Sequence, residues 1–390
     1  MKIVRKFSKI SLLVSDLSSA AILRAYLIAK ALNQLGYEVE IMGFLFGNNF
    51  YLNLPSEFNV YNLPGKDFPD FFGEIQKILP KINGDIIYAI KPQIASFGVG
   101  LLRKIFTRKP LILDIDDWEL SWHGGDNWHY HPTPKELARD LLKPQGALKN
   151  PHHTLYVKWM EGLVSHADAV TVHTKFLQQR FGGTLVPNGK DVSLFDPAQY
   201  DAESSRNRYG LSEYRILMFP GAPRPYKGLE DVLIALDKLN QPDLRLVIVG
   251  GSPYDDYDKQ LQQKWGRWII KLPKYPADVM PDLVAAAHIV VVPQRDTPET
   301  RAQFPLKLTD GMAMAKPVLS TRVGDIPQIL GDTGYLVEPG CPEQIAEQIQ
   351  LIFQNLKSAN QKAIKARERC VEHYSIEAMA STLKSVIAQL

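Results

Sequence analysis

Only two cysteines, Cys341 and Cys370, occur in 390 residues. That is too few for a disulfide framework, and a reducing compartment fits. No stretch approaches 18 consecutive apolar residues, so no segment reads as a bilayer-spanning helix. Lys and Arg total 45 against 42 Asp and Glu, a net charge of +3, too small to point to nucleic acid as a partner. The opening MKIVRKFSKISLLVSD is basic, but its apolar run is short and no small-residue cleavage site follows, so it reads as a first strand. His123, His129, His131, His152 and His153 fall at no zinc-ligand spacing and read as solvated or locally bonded. No G-x-G-x-x-G follows the first strand, which argues against a nicotinamide-dependent dehydrogenase. Internal repeats and low-complexity segments are absent. What remains is a cytoplasmic, soluble chain whose length implies two or three domains.

What is present is a rhythm. Short apolar runs (KISLLVSD, YEVEIMGF, GDIIYAI, KPLILDID, ADAVTVHT) alternate with stretches of helical periodicity such as SAAILRAYLIAKALNQLG, which Gly36 would stop. A second series begins near Tyr214, with RILMFPG, LRLVIVGG, RWIIKLP, HIVVVPQ, KPVLSTRV and GYLVEPG as strands. Such alternation predicts α/β architecture: two doubly wound, Rossmann-like domains with parallel sheets facing a central cleft. The polar, turn-rich stretch around residues 195–212 reads as the linker. Residues 121–155, rich in His, Trp, Pro and Gly, read as a long, partly irregular insertion of the kind that carries binding groups.

Two loops carry the chemistry. In FPGAPRPYKGLEDVL a strand ends at Pro220, Gly221 permits a tight turn, and a helix is expected over Gly228–Leu239. Arg224 and Lys227 are like charges placed before a helix N-terminus, and Pro223 and Pro225 stiffen the loop; an anion would join the two cations. The residues form a phosphate cradle or a solvated basic turn, and they lack the Walker A spacing. The second loop, PQRDTPETRAQFPLKLTDGMAMAKPVLSTRVGDIP, predicts another helix from about Pro305, with Lys307 and Asp310 in its first turns. Asp310 there is a two-oxygen acceptor suited to a ribose diol, or a surface acid favoured by the helix dipole.

These stretches, with VPNGKDVSLF, DLVAAAHIVVVPQ, TGYLVEPG and HYSIEAMASTL in order, resemble the GT-B retaining glycosyltransferases of glycosyltransferase family 4 (group 1). The resemblance covers most of the chain and is densest from His166 to Gly340. It implies an N-terminal acceptor-binding domain (1–198, joined by a C-terminal helix over 375–390) and a C-terminal nucleotide-sugar domain (199–374). The implied reaction is metal-independent hexosyl transfer, with retained anomeric configuration, from a UDP-, GDP- or ADP-linked sugar to a glycan, lipid-linked or small-molecule acceptor. No cofactor is implied beyond the donor itself.

By the same resemblance Lys227 matches the lysine that grips the diphosphate. The partner arginine is replaced by Ala222, so Arg224 stands in. Of the family's two glutamates eight apart, the second matches Asp310 and the first falls at Ala302, leaving Glu299, Arg301 or Gln303 to serve. Gly221 and the backbone of Phe304, Pro305, Leu306 and Lys307 would complete the donor site. In the first domain Asp116 or Asp117 would face the reacting sugar. Asp114-Ile-Asp116 is also open to a metal-binding D-x-D reading. Ser18 and Ser19, in Asp16-Leu17-Ser18-Ser19 where relatives often have a glycine pair, would cap a helix or touch the acceptor. His123 is a further acceptor candidate. The basic amphipathic stretch LLRKIFTRKP (101–110) is a solvated helix face or a peripheral contact with the inner face of a membrane. The rival readings are a degenerate GT-B module that binds without catalysis, a sugar-nucleotide epimerase and a phosphorylase.

Overall fold

A computed structural model describes residues 7–390 except 53, 144, 253 and 254. The chain divides into two units. One runs to Asn188 and regains Met379–Leu390; the other is Gly189–Ala378.

Among the described residues the first unit holds a seven-stranded parallel sheet of β1 (Lys9–Val14), β2 (Glu38–Leu45), β3 (Asn59–Pro64), β4 (Ile86–Ile90), β5 (Leu111–Ile115), β6 (Ala169–Val172) and β7 (Thr184–Leu185), in the order β3-β2-β1-β4-β5-β6-β7. The second unit holds a six-stranded sheet of β8 (Arg215–Phe219), β9 (Leu244–Val249), β10 (Ile269–Leu272), β11 (Ile289–Val292), β12 (Val318–Thr321) and β13 (Tyr335–Val337), in the order β10-β9-β8-β11-β12-β13. Both orders reverse beside the first strand of the unit, between β1 and β4 and between β8 and β11. In sheets of this kind ligands bind beyond the carboxyl ends of the strands at such reversals.

The apolar runs are continuous because both sheet faces are covered. In β9, Leu246 and Ile248 enter one buried layer while Val247 and Val249 enter the opposite one; Ile289 and Val291 against Val290 and Val292 repeat the split in β11. Full burial of each such side chain contributes about 1.5–3 kcal/mol. Edge strands β3 and β7 fall outside the expected set: β3 is largely exposed and β7 has two residues, so neither shows an apolar run.

The stretch read as a linker is ordered packing of the second unit. Phe195 is buried in its core with Val192, Leu194 and Tyr200 against it, and Ser205, Arg208 and Tyr209 all bond Asp282. The break therefore lies between Asn188 and Gly189 rather than after residue 198. The insertion is partly regular: it contains a helix, Pro134–Leu142, opened by a Thr133–Glu136 capping box.

Candidate functional site

In the second unit the turn after β8 is built around two glycines. Gly221 has φ +155°, and a Cβ there would lie 2.6 Å from Lys307 Cε and 2.9 Å from its Nζ. Gly228 has φ +69°, and a Cβ there would meet the Pro293 carbonyl oxygen at 1.9 Å; only glycine satisfies both the left-handed backbone and that approach. The expected helix is a short 3-10 turn, Pro225–Lys227, followed by a helix over Leu229–Leu239. Its first turn carries Glu230 and Asp231, and Asp231 pairs with Arg295 at 2.7 Å. The positive end of that helix dipole is therefore already answered by its own acids.

The second helix after β11 differs. It spans Leu306–Ala313, so Pro305 is the residue before it rather than the first helical position, and its first turn holds no acid. Its Lys307 reaches back over Gly221, with Nζ 4.9 Å from the centre of the Phe219 ring. Lys227 Nζ donates to Gln303 Oε1 at 2.8 Å. Arg224 lies 3.1 Å from Ser252 Oγ and 3.7 Å from Asp255 Oδ2. Lys307 thus lies over the end of β8, Lys227 reaches the loop after β11, and Arg224 turns toward the loop after β9. Burial holds Lys307 below the ordinary lysine value, with Asp310 opposing the shift; a bound anion would raise it again.

Asp310 is 8% exposed and forms an ion pair with Lys190, so it is not the surface acid the sequence also allowed. Ala302 is fully buried, which explains a small residue there. Arg301 is committed to Asp296 through two bonds of 2.6 and 2.7 Å. Glu299 is half-buried on the short helix Pro298–Ala302. Phe304 is a core residue against the Tyr374 ring, 6.0 Å away. Gln294 was not anticipated. It is 1% exposed just past β11, and neither atom of its side-chain amide has a hydrogen-bond partner among the described residues. Its signal in sequence is a polar residue ending an apolar strand.

In the first unit Asp114 is fully buried and saturated. Arg24 grips it at 2.9 and 2.8 Å, and Thr171 Oγ1 donates at 2.6 Å. Arg24 also reaches Val186 O and Asn188 Oδ1, each at 2.8 Å. A carboxylate so occupied is structural, which removes the D-x-D reading; among the described residues no group of three His, Cys, Asp or Glu side chains could hold a metal ion.

Asp116 and Asp117 follow β5. Asp116 Oδ1 lies 3.8 Å from Lys91 Nζ. Asp117 accepts from Trp122 Nε1 at 3.1 Å, and burial pushes its pKa up to about 6, against the pull of Lys91. Ser18 Oγ accepts from the Gly47 N–H at 2.8 Å and donates to Asp16. Ser19 Oγ bonds Asp16 O at 2.8 Å and accepts from Ala21 N at 3.3 Å, close to the start of helix Ala21–Gln34. His123 is exposed at the end of a 3-10 segment. His152, by contrast, is half-buried, and burial holds its pKa below the ordinary histidine value.

Residues 214–355 match the family model described as glycosyl transferases group 1. The chain is 26% identical over 375 residues to the N-acetyl-alpha-D-glucosaminyl L-malate synthase of Bacillus anthracis, covering 92% of this chain and 91% of that protein. It is 23% identical over 378 residues to the GDP-mannose-dependent alpha-(1-6)-phosphatidylinositol monomannoside mannosyltransferase of Mycolicibacterium smegmatis, covering 83% and 96%. The crystal structure of Anabaena Alr3699/HepE in complex with UDP and glucose superposes with a TM-score of 0.73 at 18% identity, over 98% of this chain and 100% of that one. The fold is GT-B, two Rossmann-like α/β domains with parallel sheets. The matches support a group 1 glycosyltransferase over a non-catalytic module or an epimerase.

Proposed function

We propose that this protein is a retaining, metal-independent glycosyltransferase of family 4, with the donor held by the second unit and the acceptor by the first. The observation that carries this reading is Lys307 lying over Gly221 with Lys227 and Arg224 on the same turn, beside a helix N-terminus whose first turn holds no acid. A nucleoside diphosphate sugar brings the anion such a set requires. UDP, GDP and ADP are the candidate nucleotides. The bases in the relatives' names differ, so the choice among them is set by residues outside the cation cluster.

As the bond between the anomeric carbon and the diphosphate oxygen breaks, negative charge grows on the leaving group. Lys227, Arg224, Lys307 and the amides at Leu306 and Lys307 stabilise it in place, without reorganising at the moment of reaction. The acceptor oxygen bonds to the same face of the sugar, and its proton passes to the departing phosphate oxygen. Gln303 orients Lys227. Phe304 contributes its backbone, since its ring belongs to the core. Asp116 and Asp117 are the first unit's candidate groups for the reaction, and Asp310 receives ribose hydroxyls in exchange for part of its bond to Lys190.

The helix Val99–Thr107 is the surface for peripheral membrane contact. Ile105 and Phe106 are each 72% exposed, although Lys104 is tied to Asp168 and Lys109 to backbone carbonyls. Among the described residues no helix is long and apolar enough to cross a membrane.

Calorimetry with UDP, GDP and ADP, followed by incubation with the matching labelled nucleotide sugar and chelator, tests the reading. Binding of one nucleotide and a product of unchanged anomeric configuration with chelator present support it. A product that appears only with inorganic phosphate in place of nucleotide sugar would identify a phosphorylase instead.

A further inference from the structure

The carboxyl ends of β4 and β5 are joined by a chain of polar contacts ending at His152. Lys91, the residue after β4, has φ +70°, a conformation costly for a side-chain-bearing residue. It is held there by Lys91 N–H donating to Asp114 O at 2.8 Å and by its own carbonyl accepting from Gln93 N and Ser96 Oγ, each at 2.9 Å. Its ammonium pairs with Glu119. Burial works against that ammonium, but the charges of Glu119, Asp116 and Asp117 outweigh it and raise its pKa. Burial would likewise raise Glu119, and Lys91 overrides it to keep the carboxylate ionised.

That ionised carboxylate decides the rest. Glu119 Oε2 lies 3.0 Å from Gln93 Nε2, and Gln93 Oε1 lies 3.2 Å from His152 Nδ1. A carboxylate only accepts, so Gln93 must turn its NH2 to Glu119 and its carbonyl to the imidazole. His152 Nδ1 therefore carries the hydrogen, and in the neutral ring Nε2 is a bare acceptor. Phe46 packs edge-on against the ring at 4.4 Å. His152 Nε2 is buried without a hydrogen-bond partner among the described residues, and so is Asp116 Oδ1. Asp116 Oδ1 has the Lys91 ammonium 3.8 Å away, whereas a buried acceptor such as His152 Nε2 left without a donor costs about 1–3 kcal/mol. A hydroxyl hydrogen would relieve either one.

We propose that His152 is an acceptor-binding residue, its Nε2 and Asp116 Oδ1 each receiving a hydroxyl hydrogen from a neutral polyol portion of the acceptor. The inference rests on the transferase reading above and names the chemistry of its acceptor subsite. Asp16, Asp116, Asp117 and Glu119 outnumber the single ammonium of Lys91 here, so a carboxylate or phosphate would meet net repulsion. Gln93 and Glu119 act through His152 and are positioning residues.

Saturation-transfer NMR on the full chain, with glucose, myo-inositol and glycerol against malate and glycerol phosphate, reads the subsite directly. The wild type should bind at least one polyol in preference to the anions. His152→Phe should weaken that binding at least about tenfold, leaving the melting transition and nucleotide affinity in place. His152→Gln, whose amide oxygen can take the Nε2 position, should retain more binding than His152→Phe. No polyol binding, preferred binding of an anion, or unchanged polyol binding in His152→Phe overturns the proposal and leaves a buried water as the occupant. Loss of nucleotide binding in the wild type, with polyol binding intact, overturns the transferase reading and not the subsite.

Discussion

Lys190 and Asp310 form an ion pair inside the second unit, each with only 12% of its side chain exposed. The two lie 120 residues apart in the chain. Lys190 is itself fixed, its N–H donating to Tyr374 O at 2.6 Å and its carbonyl accepting from Ile376 N at 3.0 Å, while its ammonium sits 4.2 Å from the centre of the Phe195 ring. The carboxylate proposed to meet the ribose is thus held in one place by a cation on a different segment. Lys190→Met strands a buried carboxylate and should cost about 3–5 kcal/mol of stability. The double variant Lys190→Met/Asp310→Leu should recover a large part of that loss, as read by urea unfolding. Nucleotide affinity should fall in the single variant and stay low in the double.

Lys227→Ala removes a cation proposed to act on the leaving diphosphate. Transfer should slow at least about a hundredfold with an unchanged circular dichroism spectrum and melting transition, since Lys227 bonds a surface-loop amide rather than the core. Near wild-type turnover in a folded variant would reject the donor-site assignment.

Asp117 makes a signed prediction about pH. Its pKa is pushed up to about 6 in the folded chain and lies near about 3.9 in an unfolded one. Between those values the folded state holds the proton more tightly, so the stabilisation is present below about pH 4 and is lost as pH rises through about 6. Asp117→Asn cannot ionise. Its stability relative to wild type should therefore increase from pH 4 to pH 6.5, measured as paired unfolding curves; a flat difference would mean the carboxyl titrates normally.

Ile105 and Phe106 offer a test of membrane contact. Vesicles containing anionic lipid should retain the wild type at low salt and release it as salt rises. Ile105→Asp/Phe106→Asp should abolish retention without altering nucleotide affinity. Retention unchanged by the double substitution would assign the helix face to solvent.

Much of the fold was legible because burial on both faces of a parallel sheet forces unbroken apolar runs. The runs at Ile10, Ile87, Leu217, Val247 and Val290 mark strands without ambiguity. β3 and β7 escaped because an edge strand need bury neither face. Gly221 stood out for the same kind of local reason, its tight turn, whereas the positive φ of Gly228 and its approach to the Pro293 carbonyl did not show in the sequence. The helix starts were misplaced by a residue or so at Gly228 and Pro305, since a proline and a 3-10 turn look alike in sequence.

By itself the sequence determined two doubly wound sheets and a stiff cationic turn beside one of them, because strand periodicity and turn chemistry act over a few residues. Only the tertiary structure decided that Asp114 belongs to Arg24, that Asp310 belongs to Lys190, that Lys307 lies over Gly221, and that Gln93 sets the tautomer of His152. Those choices join charges and dipoles brought together by folding from remote positions. Their strength depends on distance and burial, neither of which a linear spacing encodes.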